Sequence, residues 1–284
     1  MAESMVKEIQ VKSVLVKSKL PDADYVINPY VGCAFGCSYC YASFMGRFVG
    51  KSVEDWGGYV FAKVNLGEVL DKELSKGKDK SKSILLSSVT DPYQGVESKY
   101  RLTRKALELL LKHKWQGAVG ILTKSPLVTR DIDLFKQFPN MTVGVTVTST
   151  DDAVSRFLER SAPPASRRIK ALKELHDAGI PTYAFVGPLL PHFSTEPKKL
   201  KNIFDALQEA GVSEIYIEHL NLSPYIKKRL TEKMKGTDEI IMKKFYSSQS
   251  KNYRRELDTV IMKLLNNYHF RLRLGGVLYH KDIS

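Results

Sequence analysis

Three cysteines, Cys33, Cys37 and Cys40, stand within eight residues, and the 284-residue chain has no other. An odd, tightly clustered set is not a disulfide framework. Thiols used only as small buried hydrophobes would be scattered instead. Thiolates are soft ligands that suit an iron–sulfur cluster or zinc. A four-iron cube held entirely by protein takes four cysteines. Three leave one iron open, and an open position on a catalytic metal is where a small molecule binds. A site of three cysteines and one histidine on zinc is the rival. Its weakness is spacing, since the histidines at 113, 176, 192, 219, 269 and 280 all lie more than 70 residues away. Gly32 and Gly36 let the backbone wrap closely around a bulky group.

The loop needs elements to hold it. Val11–Val16 and Tyr25–Tyr30 are expected to be extended, the second leading into the cysteines. Strands are expected at Ser83–Val89, Gly117–Thr123, Thr142–Thr148, Pro181–Val186 and Glu214–Glu218, each a short apolar run. Between them fall helical patterns around Leu66–Leu74 and at Arg101–Lys114, Asp131–Phe138, Ser166–Ala178 and Lys198–Ala210. Gly179 and Gly211 sit where helices end. About six βα units imply a parallel sheet, and six suit a partial barrel where eight would close one. The expected fold is therefore α/β, a partial (β/α)6 barrel of the TIM type. Residues 1–24 form an N-terminal extension, 25–222 the barrel, and 223–284 a basic, mainly helical extension with a terminal strand or hairpin at Phe270–Tyr279.

The bulk numbers are those of a globular protein. The net charge of +13 favours a polyanionic partner. Residues 226–255 carry ten Lys or Arg (227, 228, 229, 233, 235, 243, 244, 251, 254 and 255) against three acids, and so mark a DNA or RNA contact. No apolar run spans a membrane and the first ten residues lack a signal-peptide core, so the cytoplasm is expected.

Cys-x3-Cys-x2-Cys followed by an aromatic resembles the signature of the radical S-adenosylmethionine (radical SAM) superfamily. The segments NPYVGCAFGCSYCYA, SSVTDPYQGVESKYRLTRKALELL, ILTKSPLVTRDIDLF and ERSAPPASRRIKALKELHDAGI together resemble its spore photoproduct lyase-related, photolyase-like branch. The resemblance implies an enzyme with a [4Fe–4S] cluster on Cys33, Cys37 and Cys40. Its open iron would chelate S-adenosylmethionine. An electron from reduced flavodoxin or ferredoxin would cleave that molecule to methionine and a 5′-deoxyadenosyl radical, which abstracts hydrogen from substrate. An open-sided barrel would let a large substrate approach laterally.

The resemblance also implies that the strand ends bind S-adenosylmethionine. The residues expected there are Thr90, Lys124 on the methionine carboxylate, Ser149 as a hydrogen-bond donor to the same group, and Tyr41 near the adenine. Arg167 is expected to touch the carboxylate, with Arg168 and Glu159 as comparable candidates. Asp91 and Tyr93 are the candidates for catalysis on the substrate. His192 and His219 lie near strand ends, where a lone histidine is more often structural.

One departure stands out. The thymine-dimer lyase uses a further cysteine to return hydrogen to the substrate radical, and this chain has none. Any such donor would have to be another group, such as a tyrosine. The resemblance is therefore one of kinship, and the substrate stays open. The alternative reading is a non-enzymatic nucleic-acid-binding protein with a structural iron–sulfur or zinc site.

Overall fold

Runs such as ILL, VGILT and MTVGVT are apolar on both alternating faces, as strands covered on two sides must be. A computed structural model of the protein describes residues 4–279. Residues 1–3 of the expected N-terminal extension and 280–284 of the expected C-terminal one lie outside that range. The strands are β1 (Met5–Ile9), β2 (Leu15–Lys17), β3 (Tyr25–Ile27), β4 (Tyr30–Val31), β5 (Tyr59–Lys63), β6 (Ile84–Leu86), β7 (Val119–Thr123), β8 (Met141–Thr146), β9 (Thr182–Leu189), β10 (Glu214–His219) and β11 (Arg271–Leu272). Strands β3, β6, β7, β8, β9 and β10 lie side by side in that order, all parallel. The protein is thus an α/β partial barrel. Strand β2 pairs antiparallel with β3 at one edge, and β11 pairs parallel with β10 at the other. Strands β1, β5 and β4 form a separate small sheet.

Among the described residues, ten α-helices connect or flank the strands: α1 (Leu66–Ser75), α2 (Glu97–Tyr100), α3 (Leu102–Lys112), α4 (Ile132–Phe135), α5 (Asp152–Leu158), α6 (Ala165–Asp177), α7 (Pro197–Glu209), α8 (Pro224–Lys233), α9 (Glu239–Ser247) and α10 (Lys251–Leu265). The amphipathic ones bury one face, as α3 does with Leu102, Ala106, Leu107 and Leu110. Helix α7 stops before Gly211, whose φ of +77° suits glycine; a Cβ there would also meet the His176 ring at 2.3 Å. Among the described residues no helix is long and apolar enough to cross a membrane.

Two expectations are corrected. Residues 11–14 are not strand. The Asn65 side chain bonds the Val11 amide and carbonyl, and Glu73 accepts from the amides of Val14 and Leu15. Side chains thus satisfy backbone groups that a ladder would otherwise use, and pairing starts only at Leu15. Nor does the hairpin form of the two alternatives expected at Phe270–Tyr279 occur; the strand does. Strand β11 and the bridge between Glu218 and Leu278 both run parallel to β10.

The apolar side chains form two cores. The larger fills the barrel and its surrounding helices, including Leu257 and Ile261 of α10. The smaller joins Cys33, Phe35, Cys37 and Tyr39 to Ile226 and Leu230 of α8 and Phe245 of α9. The basic helices α8 and α9 therefore share a core with the cysteine loop. The barrel is filled near the starts of its strands. There the Tyr183 and Tyr216 rings meet edge-on at 5.4 Å, with Arg273 over both. Gly144 makes room, since a Cβ on it would stand 2.1 Å from the Tyr183 ring. The free end is the other one, where the strands finish and the cysteine loop begins.

Candidate functional site

The cysteine loop follows β3 and β4 and passes into a 3-10 helix at Tyr41–Val49. Cys33 and Cys37 are buried and Cys40 is partly exposed. The loop is held from several sides. Thr90 Oγ1 donates to the Gly32 carbonyl at 2.6 Å. The wholly buried Gln94 donates to the same carbonyl at 3.2 Å and accepts from the Ala34 amide at 2.8 Å. At the end of α5 the Leu158 carbonyl accepts from both the amide and the hydroxyl of Ser38, and just beyond it the Ser161 amide donates to the Phe35 carbonyl. From α8, Arg229 Nη2 donates to the Cys37 carbonyl at 3.1 Å. Beneath, Gly36 and Gly57 meet back to back, and a Cβ on Gly57 would stand 2.7 Å from the Gly36 Cα.

Charge is arranged around the thiols. Tyr39 donates its hydroxyl to Glu159, and Arg168 forms a buried ion pair with the same carboxylate. Arg168 is 0% exposed, and its Nε also donates to the Pro163 carbonyl at 2.7 Å. Lys124, at the end of β7, places Nζ 5.8 Å from the Tyr39 ring centroid and forms no ion pair among the described residues. Burial works to lower its pKa, but the nearby Cys37 and Glu159 outweigh that, and the net shift is upward. Burial pushes the Cys37 thiol up to about 12, with the Glu159 carboxylate adding to the shift. Burial also raises Cys33 and Cys40. These thiols are poor free nucleophiles; a bound metal would be what draws off their protons.

The fit to an iron–sulfur group rests on three features. The loop offers three thiols and wraps through left-handed glycines, Gly32 at φ +88° and Gly36 at φ +56°. Among the described residues, the buried Arg229 Nε has no hydrogen-bond partner. The donor set and its surroundings suit an anionic cluster.

The other expected residues separate. Ser149 is buried at the end of its strand segment, its oxygen accepting from the Asp151 amide at 3.0 Å and its proton free to donate. Tyr41 is 45% exposed at the rim, with its hydroxyl on the Ser88 carbonyl. The Thr90 hydroxyl is committed to the loop. Asp91 is buried and accepts from Thr123 Oγ1 at 2.6 Å and from the Lys124 and Tyr93 amides at 2.8 and 2.9 Å. Burial raises its pKa against the pull of those donors.

Three placements differ from expectation. Tyr93 is 0% exposed in the barrel core and donates to Asp131 at 3.0 Å, so its hydroxyl does not face a substrate. Asp91 has both carboxylate oxygens engaged, by Thr123, Tyr93 and Lys124, and so anchors the β6 and β7 ends to one another. Arg167 is exposed: α6 buries Ala165, Arg168, Ala171, Leu172 and Leu175, which turns position 167 outward. Of the two histidines, His219 is buried with Nε2 2.7 Å from Asp258 Oδ1 and its ring stacked on Tyr279. His192 is held near Glu196.

Gln94, Gly57 and Arg229 were not foreseen. Gln94 lies inside the quoted TDPYQ segment, and its position there was the available signal. Gly57 stands in a Gly-Gly pair that by sequence alone reads as a turn. Arg229 looked like one more surface charge in a basic run.

Comparison with known proteins places these features. The sequence profile of the Radical SAM superfamily matches residues 27–200. An uncharacterized protein of Methanocaldococcus jannaschii is 35% identical over 262 residues, 89% of this chain and 91% of that one. An uncharacterized protein of Acidianus two-tailed virus is 28% identical over 261 residues, 87% of this chain and 81% of that one. Among solved structures, spore photoproduct lyase complexed with dinucleoside spore photoproduct superposes with a TM-score of 0.69 at 16% identity, covering 95% of this chain and 80% of that one. At that identity the likeness is one of fold.

Proposed function

The chain belongs to the radical SAM superfamily, and from that premise we propose that Cys33, Cys37 and Cys40 hold a [4Fe–4S] cluster with one open iron. The protein is an enzyme of radical SAM chemistry. In the proposed reading it cleaves S-adenosylmethionine reductively and abstracts hydrogen from a large substrate, of which nucleic acid is the favoured class. A reduced flavodoxin or ferredoxin, in the cytoplasm, is the expected donor. When bound, the cluster and S-adenosylmethionine supply the electron and the carbon radical.

The chain's own residues bind and orient. Lys124 carries an ammonium that has no ion-pair partner among the described residues, at the strand end beside the loop, which suits the methionine carboxylate. Ser149 offers its hydroxyl proton to the same group. Tyr41 offers an aromatic face at the rim for adenine. Glu159, fixed by Arg168 and Tyr39, keeps the loop's far wall in one position. The exposed Arg167 has no part in this reading. The observation that carries the proposal is the three-thiol loop at the C-terminal ends of parallel strands, where such barrels place their sites, with Lys124 beside it. Beyond the three loop cysteines these 284 residues offer no thiol to return hydrogen to the product radical.

The test is anaerobic reconstitution with iron and sulfide, then reduction in the presence of S-adenosylmethionine. About four irons per chain and equal amounts of methionine and 5′-deoxyadenosine are expected. Cys→Ala at 33, 37 or 40 should remove both iron and product. Lys124→Ala should keep the iron and raise the KM for S-adenosylmethionine roughly tenfold or more, as loss of a charged hydrogen bond of about 1.5–3 kcal/mol would. A fully loaded chain that forms no 5′-deoxyadenosine would end the proposal. Deuterium carried into 5′-deoxyadenosine from candidate polymers would identify the substrate.

A further inference from the structure

Helix α8 carries three basic residues in a row, and they do not do the same thing. Lys227 and Lys228 face solvent, the first over the Tyr246 ring and the second paired with Glu54 at 2.5 Å. Arg229 turns inward. Its Nη1 donates to the Val53 carbonyl at 2.6 Å and its Nη2 to the Cys37 carbonyl at 3.1 Å. Its Nε is buried without a partner. Ile226 and Leu230, which flank it on the helix, are buried in the same small core as Cys33 and Cys37. Among the described residues, the guanidinium is thus clamped by two carbonyls against the cysteine loop, with its buried Nε–H unspent and no carboxylate bonded to it.

A buried N–H without an acceptor is costly, and a half-buried cation that no carboxylate bonds is stabilised by a nearby anion. Both needs are met if an anion with acceptor atoms lies in the loop. A cluster held by three thiolates is such a group, and each added electron makes it more negative. A fixed positive charge in a poorly polarisable site stabilises the reduced form. Hydrogen bonds to cluster sulfurs act in the same direction on the potential. We propose that Arg229 is the counter-cation and N–H donor of the cluster, brought to it by α8, and that it raises the cluster's reduction potential so that a carrier protein can load the electron. This rests on the cluster reading above. It makes Arg229 a positioning and tuning residue rather than part of a nucleic-acid face.

The experiment is an EPR-monitored redox titration of the reconstituted full-length chain without S-adenosylmethionine. Wild type is compared with Arg229→Gln, Arg229→Lys and the solvent-facing control Lys228→Gln. The Gln variant is expected to lower the equilibrium constant for reduction at least tenfold, which is about 59 mV for one electron. The Lys variant, which keeps the charge and loses the fork, should fall two- to fivefold, and the control should not move. An unmoved potential in a loaded Gln variant overturns the proposal, as do equal shifts in the Gln and Lys variants. If the Gln variant does not load, the Lys variant decides: a two- to fivefold loss supports the proposal and no change overturns it. A wild-type chain without an iron–sulfur signal sinks the cluster reading itself, a different outcome from a normal wild-type signal with unmoved variants.

Discussion

Gly57 and Gly36 touch through their α-carbons, and this contact fixes how close the cysteine loop lies to the chain beneath it. Gly57 has φ +93°, and an added Cβ would meet the Gly36 Cα at 2.7 Å. Gly57→Ala therefore combines an unfavourable backbone conformation with a backbone clash. A loss of about 1–3 kcal/mol is expected, read as a lower Tm, and iron uptake on reconstitution should fall below wild type. An alanine variant with normal Tm and full iron would show that the loop does not depend on this contact. The thiols themselves were legible in the sequence because ligand chemistry leaves its mark in residue type and spacing. Gly57 was not, because its job is set by a partner 21 positions earlier in the chain. Arg229 was illegible for the same reason: a run of Lys and Arg does not say which side chain turns inward.

Two quoted segments, ESKYRLTRKALELL and LTKSPLVTRDIDLF, look like site motifs and build a buried ion network between elements instead. Glu97 of α2 accepts from the Tyr30 hydroxyl, from the Thr103 amide at 3.0 Å and from Arg130 Nη2 at 3.0 Å. Asp131, ahead of α4, accepts from Tyr93 at 3.0 Å, from Arg104 Nη1 at 2.8 Å and from Arg130 Nη2 at 2.7 Å. Both carboxylates are wholly buried. Asp131→Asn removes the anion that two guanidiniums share, leaving Arg104 with Asp133 and Arg130 with Glu97; breaking a buried pair costs about 3–5 kcal/mol. The arginines keep some solvent contact, at 16% and 22% exposure, so the lower end of that range is expected. The urea midpoint should fall with the slope unchanged. Tyr93→Phe should cost only about 1 kcal/mol and leave 5′-deoxyadenosine formation intact. A variant that folds normally and loses the product would restore Tyr93 to the chemistry. The helices and parallel strands were legible from apolar periodicity. The edges were less so, because side chains such as Asn65 and Glu73 take backbone bonds that periodicity assigns to a strand.

At the scale of the whole molecule the question is where a net charge of +13 acts. Helices α8 and α9 pack on the cysteine loop, and the Tyr225 hydroxyl donates to the Tyr41 carbonyl at the rim. Their exposed lysines include Lys233 and Lys243, Lys235 lies exposed between the two helices, and α10 adds Lys251 and Arg255. A second basic cluster, Lys76, Lys78, Lys80 and Lys82, lies between α1 and β6 and so at the opposite, N-terminal end of the strands. Charge alone does not distinguish the two ends, but a radical abstracts hydrogen only from what lies next to it. A nucleic-acid substrate must therefore use the first end. Binding of DNA or RNA should weaken with salt, with a log–log slope of about −0.9 per phosphate neutralised on a duplex and about −0.7 on a single strand. Reversing Lys233, Lys243 and Lys251 to Glu should make that slope shallower by about 2–3. Reversing Lys78 and Lys80 should leave it nearly unchanged. Equal effects at both ends would mean that the affinity is diffuse and unconnected with the site. A salt-independent polymer, or none bound at all, would move the search to peptides or small molecules that enter the open end of the barrel.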